Sequence, residues 1–306
     1  MSNTMKVWLI IALVLFLLGA VIFTISLAVN GFSWDRFIDG NYSQQTYSTD
    51  SGDYRQIIID AKNNGIRVTL SSDERIHLTY YENEWNTYTV QDDGGVLRLQ
   101  SHHKPRLVWF DFDFRPTNVE LAVPAEYAGS LQLTTSNSSI TASDINAATI
   151  DFRSSNDKIN LSNATVSGKL VLTTTNGRIQ LTNVTAPSAE LKTSNDSIRV
   201  EDVFIDGDIL ATTTNGRIDL VNLTANTAKA RTSNDSIHLS RLAAGIIDLQ
   251  SSNGALKGSI VGDSSDYRID SHTSNGSTNI DRGNANGIYS LRAYTSNDSI
   301  NIEFVR

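Results

Sequence analysis

The most regular pattern in the chain is an alternation of apolar and polar residues that recurs at intervals of 19 to 22 positions after residue 130. Each copy contains a Ser/Thr-Asn pair, in segments such as TSNSSI, TTNGRI and TSNDSI. Self-similarity at such a period is typical of solenoids, propellers and repeat arrays. Nine asparagines mark the copies: Asn137, Asn156, Asn176, Asn195, Asn215, Asn234, Asn253, Asn275 and Asn297.

Apolar residues on the two sides of each asparagine follow period 2, but in different phases. Upstream, apolar residues lie six and mostly four positions before the asparagine, and Ser or Thr always lies two before it. Downstream, Ile or Leu lies three positions after it, except at Thr278, with further apolar residues at five and eight. Period 2 predicts strands, and the phase slip predicts a corner at the asparagine. Because Asn and Gly tolerate φ > 0, we expect positive φ at the Asn-Gly or Asn-Asp pair.

A coil of strand, corner, strand and bend predicts an all-β fold, a parallel β-helix or β-solenoid of nine or more coils. A propeller needs a period of about 40, and leucine-rich repeats need an LxxLxL frame with a helical return. The marked asparagines are then structural corners, which we expect to form a hydrogen-bonded ladder along the solenoid.

Calcium binding by the aspartates that follow some of these asparagines is the rival interpretation. The aspartates lie mostly on every other coil, roughly 10 Å apart if the coils stack at strand spacing. That is too far to share one Ca²⁺, whose oxygen ligands lie at about 2.3–2.6 Å. We therefore predict no metal site and no cofactor. The aspartates in question are Asp157, Asp196, Asp235 and Asp298.

The N-terminus carries an uncharged apolar run of 23 residues, 7–29. As a helix it spans roughly 34 Å, which predicts a single transmembrane helix. We expect an uncleaved anchor; the alternatives are a signal peptide cleaved near Ser26-Leu27-Ala28 and a buried soluble helix. Lys6 precedes the run, so the positive-inside rule places residues 1–6 in the cytoplasm and the C-terminal domain outside. The polar residues 30–53 are predicted to be a flexible linker.

Residues 54–130 are predicted to form an N-terminal β cap and the first coils, ahead of the repeats in 131–306. Their strand-like segments read NNGIRV, SSDERIHLTY, DDGGVLRLQ and VELAVPAEY, the last leading into LQLTTSNSSI. Together with the SNG/SND series, these segments resemble the membrane-associated putative-adhesin family that includes the LiaG-like envelope proteins, over residues 54–306. The resemblance implies an all-β repeat domain, often tethered to a bacterial membrane and linked to envelope function, without catalytic residues to transfer.

One segment of the cap, HHKPRLVWFDFDFR at 102–115, stands apart from the repeats. A cap strand that buries its phenylalanine face is one interpretation. The other is a recognition loop that meets anionic lipid or a wall polymer. The residues predicted for this loop are His102, His103, Lys104, Arg106 and Trp109.

Composition narrows the function further. The net charge is −8 and the pI is about 5.1, which disfavours nucleic acid, since phosphate binding needs clustered Lys and Arg. The chain has no cysteine, which excludes disulfides, thiolate metal sites and cysteine nucleophiles. The sequence also has no G-x-S-x-G, no H-E-x-x-H and no phosphate-binding glycine loop, so no catalytic residues are predicted.

These patterns favour a membrane-anchored, extracytoplasmic β-solenoid that is not an enzyme. We expect an adhesin-like binding or scaffolding protein of the bacterial cell membrane, whose partner is a cell-wall polymer, an anionic lipid or an envelope protein. The resemblance favours, as an alternative, an accessory or sensory component of an envelope stress response. A carbohydrate-active β-helix enzyme is the third hypothesis, by fold analogy alone. It would need a cleft where Asp or Glu converges with Arg or Lys across neighbouring coils.

Overall fold

The structure, a computed structural model, describes residues 2–29, 42–50, 54–104, 117–280 and 286–306. It begins with one long helix, α1, Asn3–Val29. Within α1 the most apolar stretch of the span Thr4–Ser26 has a mean hydropathy of 2.9, and none of this stretch is buried against the rest of the chain. By length and composition this helix is able to cross a membrane.

The N-terminal part of the β domain combines parallel and antiparallel strands. Its strands are β1 Ser43–Asp50, β2 Gln56–Lys62, β3 Ile66–Leu70, β4 Arg75–Glu82, β5 Asn86–Asp93, β6 Val96–His103 and β7 Val119–Val123. Strand β1 pairs antiparallel with β4, β4 with β7, and β5 with β6. The linker prediction for 30–53 therefore needs correction, because β1 lies within it. Pairing with β4 satisfies its polar backbone, and Tyr47 packs against the core.

The repeats form coils whose strands pair in parallel with their equivalents in neighbouring coils. Ile159, for example, is in register with Ile140 on one side and Ile179 on the other. The β-solenoid prediction is confirmed, with about eight turns rather than nine or more coils. The strands are β8 Ser130–Thr135, β9 Ile140–Ala147, β10 Ile150–Arg153, β11 Ile159–Val166, β12 Lys169–Thr173, β13 Ile179–Ala186, β14 Ser188–Lys192, β15 Ile198–Thr212, β16 Ile218–Arg231, β17 Ile237–Gln250, β18 Leu256–Val261, β19 Tyr267–Thr273, β20 Tyr289–Thr295 and β21 Ile300–Val305. A short 3₁₀ helix, Ser264–Asp266, precedes β19.

Columns of aliphatic side chains fill the interior. The Ile or Leu three positions after a corner asparagine, such as Ile179 or Ile218, is completely buried, which stabilises the fold by about 1.5–3 kcal/mol per side chain. Thr278, which takes this place in one coil, is exposed. The inward Ser/Thr column is also buried, apart from the half-buried Thr273, and its hydroxyls donate to carbonyls of the adjacent coil. The Thr193 hydroxyl, for instance, lies 2.9 Å from the carbonyl oxygen of Gly177. These hydroxyls therefore fill the corner without leaving buried polar atoms unpaired.

The order of coils in space differs from the chain order at both ends. Strand β2 lies between β6 and β8, and β3 between β7 and β9, so strands β4 to β7 lie at the N-terminal end of the solenoid. At the other end β20 lies between β17 and β19, and β21 lies beside β18. The final coil of the chain is therefore inserted inside the stack, and the preceding coil is displaced to the outside.

From Asn156 onward, the residue that follows each corner asparagine alternates between Asp and Gly in stacking order. Each such glycine faces the backbone of an Asp coil so closely that a Cβ would lie 1.9–2.0 Å from an aspartate carbonyl oxygen. The facing pairs are Gly177 with Asp157, Gly216 with Asp196, Gly254 with Asp235, and Gly276 with Asp298. Along the chain Gly254 and Gly276 are consecutive, and only insertion of the Asp298 coil between them restores the alternation.

The expected positive φ at the Asn-Gly or Asn-Asp pair is wrong. In five coils the corner is closed instead by the inward Ser/Thr hydroxyl, which accepts the backbone N–H three residues on, as Thr174 does from Gly177 at 3.2 Å. This hydrogen bond makes a tight turn that needs no left-handed backbone. The left-handed residues lie seven positions after the corner asparagine, at the second bend: Asp144, Asn163, Asn183, Asp202, Asn222 and Arg241.

Candidate functional site

All nine corner asparagines lie in one exposed column on the solenoid surface. Each side-chain Nδ2 donates to the Oδ1 of the asparagine in the neighbouring coil, at 2.6–2.8 Å. Asn63 of the first coil accepts from Asn137 and so belongs to the same column. Asn297 donates to Asn253, and Asn275 donates to Asn297. The ladder therefore follows the order of the coils in space, in which the final coil lies between the two that precede it in the chain. We call this column, with the residues that flank it, the corner stripe.

Aspartates of the corner stripe are held in a fixed orientation. The Oδ1 atoms of Asp157, Asp196, Asp235 and Asp298 each accept the backbone N–H of the following residue, at 2.6–2.7 Å. The glycines that alternate with them present no side chain, and three of them, Gly177, Gly216 and Gly254, are buried. Along the stripe, positions with an aspartate side chain therefore alternate with positions that lack a side chain, with a period of two coils, roughly 10 Å.

One shallow groove in the corner stripe is large enough to accept a ligand. It is open to solvent, has a volume of about 290 Å³, and lies over Gly177, between Asp157 and Asp196. Lys158 and Arg178 line it with their side chains. The Arg178 Nε donates to the Ser197 hydroxyl at 3.0 Å and lies 3.9 Å from the Asp196 carboxylate. We call this groove the Gly177 notch. Sequence reasoning missed it because its walls come from three different coils.

The predicted recognition loop is described only in part. His102 and His103 lie at the end of β6, so they belong to a hairpin strand rather than to a loop. Strand pairing places His102 Nε2 3.0 Å from the Thr89 hydroxyl, and His103 Nδ1 2.6 Å from Asn86 Oδ1. The backbone of Lys104 continues this hairpin through its hydrogen bond to Trp85. Two further residues of the prediction, Arg106 and Trp109, lie outside the described residues.

A small polar cavity lies behind these histidines. It has a volume of about 10 Å³, enough for one water molecule. Ser101 lines it, and its hydroxyl is buried without a protein partner among the described residues. Beside it, the Asn64 amide donates to the Tyr88 hydroxyl at 2.6 Å, while burial raises the pKa of Tyr88 to about 12. The cavity is too small for a ligand larger than a single water molecule.

Two tyrosines fasten β1 to the β5–β6 hairpin through one carboxylate. The hydroxyl groups of Tyr47 and Tyr54 donate to Asp92 Oδ2 at 2.7 and 2.5 Å. These hydrogen bonds, that of Tyr54 first, lower the pKa of Asp92. The segment that leads from α1 to the solenoid is thus anchored at its β1 strand.

Charged side chains on the neighbouring strand faces are mixed in sign. Arg199 contacts Glu201 at 3.0 Å, and Arg217 and His238 both approach Asp219 at 3.3 Å. Burial, followed by the nearby Lys257, lowers the pKa of His238. Within the described ranges no group of three or more His, Asp or Glu side chains is arranged to hold a metal ion.

Residues 54–303 match the Toastrack DUF4097 family. The chain belongs to the Toastrack family. No curated protein matches this Toastrack chain.

Several solved structures are similar to the Toastrack chain at low sequence identity. A "putative adhesin" from Parabacteroides merdae is 15% identical, with 88% of this chain and 98% of that protein covered, at a TM-score of 0.50. A "putative lipid binding protein" from Parabacteroides distasonis is 16% identical, with coverage of 85% and 97%, at a TM-score of 0.46. A "putative adhesin" from Bacteroides fragilis is 12% identical, with coverage of 85% and 97%, at 0.45.

Proposed function

We propose that this Toastrack chain is a membrane-anchored, extracytoplasmic protein of the bacterial cell envelope that binds or scaffolds without catalysing a reaction. The observation that carries the proposal is the form of the corner stripe. It is a long, open, polar surface of fixed amides and carboxylates, and the ligand-sized Gly177 notch on it is shallow and open to solvent. Such a surface suits an extended partner better than a small substrate, which enzymes usually hold in a concave, mostly apolar pocket.

The membrane anchor is proposed from α1. None of its most apolar window is buried in the protein, and an apolar helix without a protein partner is stable in a bilayer but not in water. Partners that fit an envelope position are a cell-wall polymer, an anionic lipid or an envelope protein.

A LiaG-like role in an envelope stress response is the finer proposal within the family. It rests on the motifs NNGIRV and VELAVPAEY in the first coil and its neighbour. A histidine-kinase gene beside the gene for this chain would favour an accessory or sensory role; its absence would favour the surface-binding role alone.

A carbohydrate-active enzyme would need a cleft where acidic and basic side chains of neighbouring coils converge. The Gly177 notch meets part of this requirement, since Asp157 and Asp196 line it together with Lys158 and Arg178. The two aspartates, however, are two coils apart, roughly 10 Å. Carboxylate pairs of glycosidases lie about 5–5.5 Å apart when retaining and about 6.5–9.5 Å apart when inverting. This spacing is far above that of a retaining pair and lies at the upper limit for an inverting pair, so binding is the function we propose for the notch.

Retention on envelope material tests the binding proposal. We expect the full-length chain in zwitterionic nanodiscs to be retained on isolated cell wall or to co-float with anionic liposomes at low salt. Empty nanodiscs of the same lipid are the control. The liposome arm separates a lipid partner from a wall partner. No retention on either material would contradict the proposal.

Protease added to intact cells tests the orientation. If residues 1–6 are cytoplasmic, the protease should digest the β domain, because everything after α1 lies outside. An immunoblot against a cytoplasmic protein confirms that the cells remain closed. Full protection of the β domain in closed cells would overturn the outward orientation.

A further inference from the structure

The Gly177 notch has a counterpart two coils further along the corner stripe. Gly216 lies between the coils of Asp196 and Asp235, as Gly177 lies between those of Asp157 and Asp196, and a Cβ on Gly216 would meet the Asp196 carbonyl oxygen in the same way. Arg217 follows Gly216 as Arg178 follows Gly177. The stripe therefore carries two corresponding positions, which we call the paired notches, separated by roughly 10 Å. Their arginines differ in contact, since the Arg178 Nε lies against the Ser197 hydroxyl and the Arg217 Nε against Asp219.

Hydrogen-bonding groups remain available along the paired notches. Each ladder amide uses one of its two N–H groups within the ladder, so a second N–H is left to face outward. Each aspartate uses Oδ1 for the backbone and, within the described part of the chain, no hydrogen bond engages Oδ2 of Asp157, Asp196 or Asp235. Asn160 and Gln180 add further amides at the Gly177 notch. Donors and acceptors thus alternate along the stripe.

This mixture identifies the chemistry of the ligand. Hydroxyl groups both donate and accept, so a polyhydroxylated chain satisfies amides, guanidinium groups and carboxylates together. A polyanion matches Arg178 and Arg217 but is repelled by Asp157, Asp196 and Asp235, whose charges lie in the same row. The net charge of −8 works in the same direction.

The period of the notches identifies the geometry of the ligand. In an extended β-1,4-linked glycan, successive rings are turned over, so the same face recurs with every second sugar. One ring advances the chain by about one coil spacing, and a disaccharide by about two coils, roughly 10 Å. An α-linked glycan coils and loses this match.

We propose that the paired notches bind a linear β-linked glycan lying along the solenoid, with one disaccharide unit in each notch. The proposal rests on the binding function proposed above and names the class of its ligand. Arg178 and Arg217 donate to ring substituents, and the flanking aspartates accept from hydroxyl groups. Contact with both notches on one chain makes longer oligosaccharides bind more tightly than a disaccharide, through effective concentration.

The test measures binding of chitohexaose and cellohexaose, with maltohexaose as the α-linked control, to the full-length chain. Titration calorimetry in a detergent without a sugar headgroup avoids competition from the micelle. We expect a β-linked hexasaccharide to bind, chitobiose to bind more weakly, and maltohexaose not to bind. The double substitution Arg178→Ala with Arg217→Ala should lower the affinity about tenfold, because it removes two charge-assisted donors.

A matched control is the double substitution Arg153→Ala with Arg231→Ala. These arginine side chains are 56% and 46% exposed, close to the 57% and 49% of Arg178 and Arg217, and lie on a different strand face. We expect this control to bind like the parent. Both variants should unfold at the parent's denaturant midpoint, since all four arginines are exposed.

Several results would overturn the inference: no binding of either β-linked hexasaccharide, equal binding of maltohexaose, equal effects of the two double substitutions, or tighter binding of linear polyphosphate. Retention on cell wall without binding of these oligosaccharides would remove the glycan proposal and leave the binding function standing. Failure of both experiments would remove both.

Discussion

Replacing Gly177 with alanine is expected to lower the free energy of unfolding by about 3 kcal/mol, because overpacking a close-packed interior forces the backbone to move. The new Cβ would lie 2.0 Å from the Asp157 carbonyl oxygen and 2.8 Å from the Lys158 nitrogen. Both atoms are backbone, so no side chain can rotate away. The adjacent coils must separate, which also weakens the asparagine ladder and the parallel pairing around it.

The matched control for this substitution is Gly245→Ala. There the nearest atoms to a new Cβ are the Asn226 carbonyl oxygen and the Tyr289 Cδ1, both at 3.5 Å, which is an ordinary contact, so we expect a change within about 1 kcal/mol. Denaturant unfolding of both variants gives the comparison. Hydrogen exchange locates the loss, which should centre on the coils of Asp157 and Gly177, because each repeat contacts only its neighbours. Equal stability of the two variants would show that the Asp–Gly packing is not tight.

The second large effect is expected in the middle of the asparagine ladder. Asn195 donates to Asn176 at 2.6 Å and accepts from Asn215 at 2.7 Å. Asn195→Ala removes both hydrogen bonds and should lower the free energy of unfolding by about 1–2 kcal/mol, at about 1 kcal/mol per exposed bond. Asn195→Asp keeps the acceptor but loses the donor. It places a carboxylate oxygen against the side-chain Oδ1 of Asn176, and adds a negative charge next to Asp196.

The Asn195→Asp variant adds a dependence on pH. The ionised carboxyl is disfavoured in the folded chain, so its folded pKa lies above the unfolded value of about 3.9. The variant's loss of stability is then complete above the pKa of the folded chain. It decreases as the pH falls toward the pKa of the unfolded chain, because the protonated carboxyl group again donates a hydrogen bond to Asn176. Unfolding at neutral pH and near pH 4 measures this difference against the parent.

Asn226→Asp makes the same charge change at an exposed asparagine outside the ladder, and serves as the control. Its stability relative to the parent should vary little between the two pH values. A ladder variant that behaved like this control would show that the asparagine column contributes no net stability.

The repeats could be predicted in detail from the sequence because the information is local and recurs in each coil. The isoleucine after each corner and the inward Ser/Thr hydroxyls occupy fixed positions relative to the asparagine, and alternation with period 2 assigns them to the interior. The corner asparagines occupy equivalent positions in every coil. Stacking of like coils then aligns their amides, which can both donate and accept.

Positive φ at the second bend could have been found but was missed. Asn or Asp recurs seven residues after five of the corner asparagines, as at Asn163 and Asp202, and these residue types tolerate the left-handed region best among non-glycines. The glycines at the first corner misled the prediction. Their small size serves the close approach of a neighbouring coil, as at Gly177, and a contact between coils leaves no local signal.

What the sequence determined by itself is therefore the coil: its strands, its corner, its core columns and its period. What only the tertiary structure decided is the order of coils at both ends, the pairing of β1 with β4, and the notches between coils. Pairing between strands far apart in the chain depends on which edges and surfaces fit, not on the residues of one segment. The Asp–Gly alternation shows this directly. It is broken along the chain at Gly254 and Gly276, and complete only where the Asp298 coil is stacked between them.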